Sequence, residues 1–505
     1  MGSSPTQVRY LEEDPDLEQF LGRRPRNVAD LLRRAPVNAR RLLSNESIST
    51  ALENYAERHS APEESIAAAR SIARGDVQII ITGQQPGLFG GPLYTVHKAA
   101  TAVRLAQEIN ASSDGPTVVP LFWNHTDDHD LDEVNRAFFI NNSLEIQRIR
   151  LDLTRNGEAI RDIGVGRDLD HALAAVSDLL PHSEFREWAL DLFRPRLPDE
   201  HIGDALARML FGMFGKHGLL VIEPQDLPEE AFEVLPRWWE QANEIQSTVS
   251  STIEVLLEIG LDISLDPAAT LMFQNTGGRR VAMAQGDPVN RATDLSPGVL
   301  LRALWQDACL PTLGSIVGPG ELSYLSVAGP LYRQLGVPAP VFVPRASLTL
   351  VEPSLAKLLK RFNWDIPDLE VGAEQLAKAA IHDEATGDES GLEQLIEHVK
   401  VQMSELVTTM RTADSQMVRA VERTRGKVHD ELSKLLNKLR NSRQNREGTG
   451  LRQIRRVVNC LCPRGRAQER VLNALPFLAA HGEALADQLV GAADPFSTGH
   501  GILEL

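Results

Sequence analysis

Cysteine is nearly missing from this sequence of 505 residues: Cys309, Cys460 and Cys462 are the only three. So few thiols exclude a disulfide framework and point to a reducing compartment, with the cytoplasm as the expected location. Cys460 and Cys462 stand one residue apart, with no second pair and no regularly spaced histidine, so no structural zinc site is expected and no metal site is assigned. Basic charge is also in deficit, since 52 Lys and Arg against 69 Asp and Glu leave a formal net charge of -17. That balance argues against a nucleic-acid partner, because phosphate backbones are held by clustered cations. A small anionic substrate stays open, since a few local arginines suffice for one. Long apolar runs are lacking as well. Stretches such as Val77 to Thr82 and Leu219 to Ile222 fall far short of the roughly 20 residues of a membrane helix, so no membrane association is expected.

What is present is a large globular chain, 42% hydrophobic, long enough for two to four structural units. Residues 1–73 read as a helical lead-in broken by Pro and Ser. Val77 to Thr82 is β-rich and runs into a glycine turn, Gly83 to Pro92, before a helical segment from Tyr94 to Ile109. Val118 to Trp123 forms a second buried-type strand, and two such strands joined by a helix make a βαβ unit. Leu219 to Ile222, Leu313 to Val317 and Val341 to Val343 are short apolar runs bounded by Gly or Pro, as central strands are. The fold class read from this alternation is α/β: a core over residues 74–385, with insertions at about 142–215 and 228–300.

The last third differs in kind. Leu392, Ile396, Val399, Met403, Leu406, Met410, Ala413 and Met417 alternate spacings of four and three, the heptad seam of a coiled coil. The seam continues through Val421, Thr424, Val428, Leu432, Leu435 and Leu439, with stutters at Met417 and Val428. A break at Glu447 to Gly450 then allows a return helix through Ile454, Val458 and Leu461. Residues 386–462 are therefore expected to form an antiparallel coiled coil or dimer arm, followed by a helical segment, 463–505, that packs back on the core.

Two clusters carry candidate chemistry. The turn holding Gly83, Gln84, Gln85, Gly87 and Gly91 puts backbone N–H groups at a helix N-terminus, where an anion is favoured. A merely tight turn is the plainer alternative. Thr95 and Lys98 lie one turn inside that helix, and Lys98 is placed to reach back toward a carboxylate or phosphate. The polar run Asn124 to Asp130 follows the second strand, at the sheet edge where open α/β folds bind ligands. Its crowded carboxylates are expected to raise one another's pKa and supply a base near neutrality. A metal-dependent hydrolase using His125, Asp128 and His129 is the alternative enzyme class, a partner-binding scaffold a third reading, and a solvated helix-capping loop the plainest. His201 to Asp204 resembles the nucleotide-binding signature of adenylate-forming synthetases but opens an ordinary amphipathic helix, and is read as coincidence.

Several motifs occur together in one order. Gly83 to Lys98, Trp123 with Asp128 to Asp130 and Asp132 to Asn135, and Leu295 to Pro297 with Leu301, Arg302 and Gln306 come first. Gly318 to Glu321 with Tyr324, Val343 to Arg345 with Ser347, Cys462 to Gly465 with Gln468 to Arg470, and His500 follow. In this the chain resembles the cysteine-adding family of bacillithiol biosynthesis over most of its length. It departs from the family's pattern at Asn124 to Asp127, which is more polar, and at Ala303-Leu304, where a Pro-containing step is usual. The resemblance implies a Rossmann-like core of class I nucleotidyltransferase type with connecting insertions, a C-terminal coiled coil, and a homodimer. It also implies a ligase that joins the carboxyl group of cysteine to the amine of glucosaminyl-malate, with ATP, giving ADP or an adenylate, as the suspected source of activation. Within that frame Asp128, His129 and Asp130 are candidates to orient and deprotonate the acceptor amine. Arg302 and Arg345 are candidates to bind carboxylates, and Trp123 and Tyr94 to pack on the sugar. Gln306, Glu321 and Tyr324 join the binding set.

Overall fold

The computed structural model describes residues 4–36, 41–112, 115–141, 143–153, 157–261, 263, 265–384, 388–413 and 417–505. The chain divides into two compact units, Met1–Glu352 with Arg466–Leu505, and Pro353–Gly465. The second begins well before residue 386, the expected start of the coiled-coil segment.

The first unit is organised by five parallel strands, β1 (Gln78–Gln84), β2 (Val118–Asn124), β3 (Leu220–Ile222), β4 (Thr312–Val317) and β5 (Val341–Pro344). Each coincides with one of the apolar runs bounded by Gly or Pro. They form one sheet in the order β3-β2-β1-β4-β5, the doubly wound Rossmann-type order, which reverses direction between β1 and β4. Every residue of β2 is buried, as expected of a strand covered on both faces. In the register, Ile81 lies opposite Leu121 and Gln84 opposite Asn124, so β1 and β2 end level and their following loops start side by side.

Helix α1 (Tyr94–Asn110) makes the crossover from β1 to β2. Its end is closed by Asn110, whose side chain both donates to Val118 O and accepts from Val118 N at 2.8 Å. Helix α2 (Ile202–Phe214), which the sequence places inside an insertion, packs against α1 and leads into β3. Ten of its residues are buried, from Ile202 to Phe214, so it belongs to the covering layer of the sheet. The N-terminal helices are likewise part of this layer: Leu31 packs with Ile80, Ala102 and Val343, and Tyr10 donates to Phe342 O at 2.9 Å. Further strands form an antiparallel pair, Arg136–Ile140 with Ile146–Arg150, and a three-stranded antiparallel sheet of Arg279–Ala282, Met272–Thr276 and Leu295–Pro297. At the C-terminus His500–Glu504 pairs in parallel with Ser347–Val351.

In the second unit two long helices, α5 (Asp388–Ala413) and α6 (Val418–Leu461), pack side by side. Helix α5 ends at Ala413 and α6 begins at Val418, and α6 runs unbroken through Glu447 to Gly450. The sequence placed the turn there because two glycines cost a helix about 1 kcal/mol each, but continuity over 44 residues overrides that local preference. The less exposed row follows the expected seam at Leu392, Ile396, Val399, Met403, Val421, Val428, Leu432 and Leu439 but departs from it at Leu406 and Leu435. Val407 is 5% exposed while Leu406 is 40% exposed, and Leu436 is half-buried while Leu435 is 52% exposed.

Candidate active site

The loops after β1 and β2 meet the start of helix α4 (Pro319–Gln334), which follows β4, at the point where the strand order reverses. A cavity of about 290 Å³ opens there, lined among others by Gly83, Gln84, Gln85, His125, Asp128, Arg302, Gln306, Asp307, Glu321, Tyr324 and Tyr332. Doubly wound sheets bind ligands in this crevice, outside the strand ends. Helix α3 (Val299–Cys309) supplies Arg302 and Gln306, one helical turn apart on the same face, and Asp307 beside Gln306.

Buried ion pairs fix the walls. Asp127 and Asp128 lie beneath two guanidinium groups. Arg302 Nη2 donates to Asp128 Oδ2 at 3.1 Å and Arg302 Nε stands 3.8 Å from Asp127, while Arg280 Nη1 donates to Asp128 Oδ1 at 3.3 Å. Gln85 Nε2 adds a bond to Asp128 Oδ2 at 2.8 Å, and Ser296 one to Asp127 Oδ2 at 3.0 Å. Burial works to raise the Asp128 pKa, but Arg302, the contacts with His129, and Arg280 outweigh it and hold the carboxyl far below its usual range. Burial pulls Arg280 down to about 10 against the attraction of Asp127. On the other wall Lys98 Nζ, buried, donates to Gly83 O at 2.7 Å and Gln84 Oε1 at 3.0 Å, and pairs with Glu321 Oε2 at 2.5 Å. Glu321 in turn accepts from Gly318 N at 2.6 Å, capping α4. Burial lowers the Lys98 pKa although Glu321 opposes it.

Two cavity groups lack such a counter-charge. His125 is held neutral, its pKa lowered to about 3 by burial and by Arg302, and its buried Nδ1 has no hydrogen-bond partner. Asp307 accepts from Tyr332 OH at 2.7 Å and Gln306 Nε2 at 3.3 Å. Burial pushes its carboxyl up to about 7, with those hydrogen bonds pulling the other way.

Residues 2–290 and 287–346 match the family model described as the bacillithiol biosynthesis BshC N-terminal Rossmann-like domain, and residues 348–505 match the model of the BshC C-terminal coiled-coil domain. The chain belongs to the BshC family. Its relatives carry the provisional name cysteine ligase BshC. The protein of Koribacter versatilis is 31% identical over 480 residues, covering 89% of this chain and 88% of its own. That of Salinibacter ruber is 26% identical over 496 residues, with 93% and 90% covered, and that of Thermus thermophilus 29% identical over 464 residues, with 86% and 90% covered.

In this BshC chain the residues singled out from sequence separate into three groups. Gly83, Gln84, Gln85, Asp128, Arg302, Gln306, Glu321 and Tyr324 come together around the cavity. A second group is consumed in packing. Gly87 and Gly91 are buried in a turn closed by Gly90 N to Gly87 O at 2.9 Å and Gly91 N to Leu88 O at 3.1 Å, and Asn473 Nδ2 donates to three of its carbonyls, Leu88, Phe89 and Gly91. A Cβ at Gly87 would stand 2.7 Å from Gly91 Cα, so glycine at this position serves the turn's own closure. Thr95 is buried beside it. Trp123 is fully buried edge-on to Trp305, with ring centres 5.7 Å apart, and so has no face to offer a sugar. Arg345 closes both arms on Glu469, at 2.8 and 2.7 Å, with its guanidinium 5.8 Å from the Tyr94 ring. Glu469 also receives Ser347 Oγ at 3.0 Å and contacts His97 Nδ1 at 3.0 Å.

The third group is the proposed base. Asp130 caps the short helix Leu131–Val134 by accepting from Asp132 N at 3.0 Å, and is exposed. His129 is also exposed, and its Nδ1 accepts from Arg280 Nη1 at 2.8 Å. Crowding was expected to raise a carboxylate pKa in this loop, but arginines from distant segments arrive instead and fix Asp128 as an anion. The metal-hydrolase alternative also loses its geometry. Among the described residues the grouping with ligand atoms in mutual reach is His201, Asp204 and Glu223, away from His125, Asp128 and His129. Sequence reading missed Arg280, which sits in an inserted hairpin with no local signal. It also missed Asp307, whose signal was a lone acid in the apolar run Leu304 to Leu310.

Proposed function

We propose that the protein is the cysteine ligase of bacillithiol biosynthesis, joining the carboxyl carbon of cysteine to the amine of glucosaminyl-malate in the cavity at the strand-order reversal. The observation that carries this reading is the coincidence of both BshC domain matches with a polar cavity at the crevice such sheets use for ligands. At about 290 Å³ it is at the small end of ligand sites, sized for one sugar acid. Tyr324, Gln306 and neutral His125 face it as hydrogen-bonding groups for a polyol or carboxylate. Arg302 contributes its field, the guanidinium being paired with Asp127 and Asp128.

The attacking amine must be neutral, and Asp307 is the cavity group whose proton affinity matches that task, being raised to about 7 by burial. It takes the place of Asp128, His129 and Asp130 as proton acceptor in this reading. Amide formation from a free carboxylate requires activation, and ATP is the proposed co-substrate. The glycine turn, whose Gly90 and Gly91 N–H groups donate to the turn's own carbonyls, is not assigned to its phosphates.

A homodimer through the helical hairpin belongs to the same proposal. Leu395, Val401, Leu406 and Leu435 are each at least 40% exposed on α5 and α6, a large apolar display for helices in water. The test of function is direct. Purified protein given cysteine, glucosaminyl-malate and ATP is expected to yield the condensed thiol, and a strain lacking the gene to accumulate glucosaminyl-malate. Absence of both refutes the reading.

A further inference from the structure

On the far side of β2 from the cavity, three metal-ligating side chains lie in mutual reach, with a histidine from a further segment beside one of them. His201 is the N-cap of α2, Asp204 lies in its first turn, Glu223 follows β3, and His59 ends the helix Asn45–Arg58. His201 Nε2 stands 3.4 Å from Asp204 Oδ2 and 3.8 Å from Glu223 Oε2, and His59 Nε2 stands 3.7 Å from Asp204 Oδ1. The three atoms offered by His201, Asp204 and Glu223 all lie within 4.8 Å of one another.

These separations are too long for N–H···O hydrogen bonds, which run to about 3.2 Å. The His201–Asp204 separation matches the edge of a tetrahedron with metal–ligand bonds of 2.0–2.1 Å, roughly 3.3–3.5 Å, and the other two exceed it by a few tenths of an ångström. A plain hydrogen-bonded imidazole–carboxylate cluster would close that gap. A second observation points the same way. The His59 side chain is only 6% exposed, and its Nε2, aimed at Asp204, has no hydrogen-bond partner. Leaving a buried imidazole nitrogen unsatisfied is costly, and a cation would satisfy it. Glu223 is 1% exposed and already anchored, accepting from Tyr55 OH at 2.8 Å and Thr126 Oγ1 at 2.7 Å, the kind of outer-shell support that orients a ligating carboxylate.

We propose that His201, Asp204 and Glu223 form a binding site for one divalent transition-metal ion, of the zinc type, with His59, beside Asp204, as the side chain that turns in as a fourth ligand. Two imidazoles with two carboxylates suit zinc, cobalt or manganese and disfavour magnesium, which prefers all-oxygen shells. The ion would tie the N-terminus of α2 to the ends of β2 and β3. Through Thr126 it would brace the loop that carries His125, Asp127 and Asp128 to the cavity, making it a positioning ion.

The test uses the full-length protein stripped with a chelator, then titrated with zinc against a chromophoric competitor. One equivalent per chain is expected, with equimolar magnesium failing to compete. His201→Asn keeps a good N-cap residue, and Asp204→Asn keeps an oxygen to accept from His201 N. Each variant, checked by its melting curve, is expected to weaken zinc binding by more than the roughly 10- to 100-fold that loss of an outer-shell partner costs. The cobalt form of the wild type is expected to show tetrahedral absorption without sulfur-to-cobalt charge transfer, which separates this site from Cys460 and Cys462. No stoichiometric zinc uptake by the folded wild type, unchanged affinity in the variants, or a thiolate signature in the cobalt form would each overturn the assignment.

Discussion

Replacing Asp307 by Asn tests the proposed chemistry and the electrostatics together. Asn is nearly isosteric with a protonated Asp, and its carbonyl oxygen can accept from Tyr332 OH, while Gln306 can turn its amide to accept from the new amide group. Packing is thereby preserved and the ionisation removed. The carboxyl is raised from 3.8 to about 7 in the folded protein, so between those values the native state binds a proton that the unfolded chain releases. Stability must fall as pH rises through that window and level off above it. The difference between 3.8 and about 7, at ~1.36 kcal/mol per pH unit, amounts to about 4 kcal/mol as a ceiling. Urea unfolding of wild type and variant, from pH 4 to 8, reads the effect as a difference between two curves. The variant is expected to lose the decline and to be the more stable protein above pH 7. Its turnover moves the opposite way, dropping roughly 100-fold or more with loss of the base, and the rise of wild-type rate through pH 7 disappears. A variant that keeps both the wild-type pH–rate profile and the wild-type stability curve refutes the role of Asp307 and the burial argument behind it.

Asp128→Asn leaves Arg302 and Arg280 with Asp127 as their one remaining anion, and breaking a buried pair from one side costs about 3–5 kcal/mol. Early melting is therefore expected alongside lost turnover, and a full-stability variant contradicts the ion-pair account. Glu469→Gln removes the anion between Arg345 and His97, with a cost of similar size by chemical denaturation. Because Arg345 and His97 hold the Glu469 carboxyl well below its ordinary 4.5 despite burial, its contribution is present above that pH and lost as pH falls below it. The variant should then show a shallower acid transition. Leu395→Glu with Leu435→Glu places charge on the exposed apolar positions of the hairpin and is expected to convert a dimer to a monomer by light scattering without a change in far-UV dichroism. A monomeric wild type removes the dimer proposal.

The sequence by itself determined what depends on local pattern. Five short apolar runs bounded by Gly or Pro became the five central strands, because a strand covered on both faces must be apolar throughout. The long helices of the C-terminal region followed from heptad spacing, and the BshC family from motifs in order along most of the chain. Tertiary structure decided what depends on partners distant in sequence. Arg345 meets Glu469, Arg302 meets Asp127 and Asp128, and Lys98 meets Glu321, so groups that read as free charges for a ligand are largely spent inside the protein. Gly448 and Gly450 read as a turn, yet they lie within a 44-residue helix. Local propensity at two residues is worth about 2 kcal/mol, less than the packing of a long helix against its neighbour. The pKa of Asp307 was equally beyond reach from sequence, since it is set by how completely water is excluded around one carboxyl, and only the packed fold decides that.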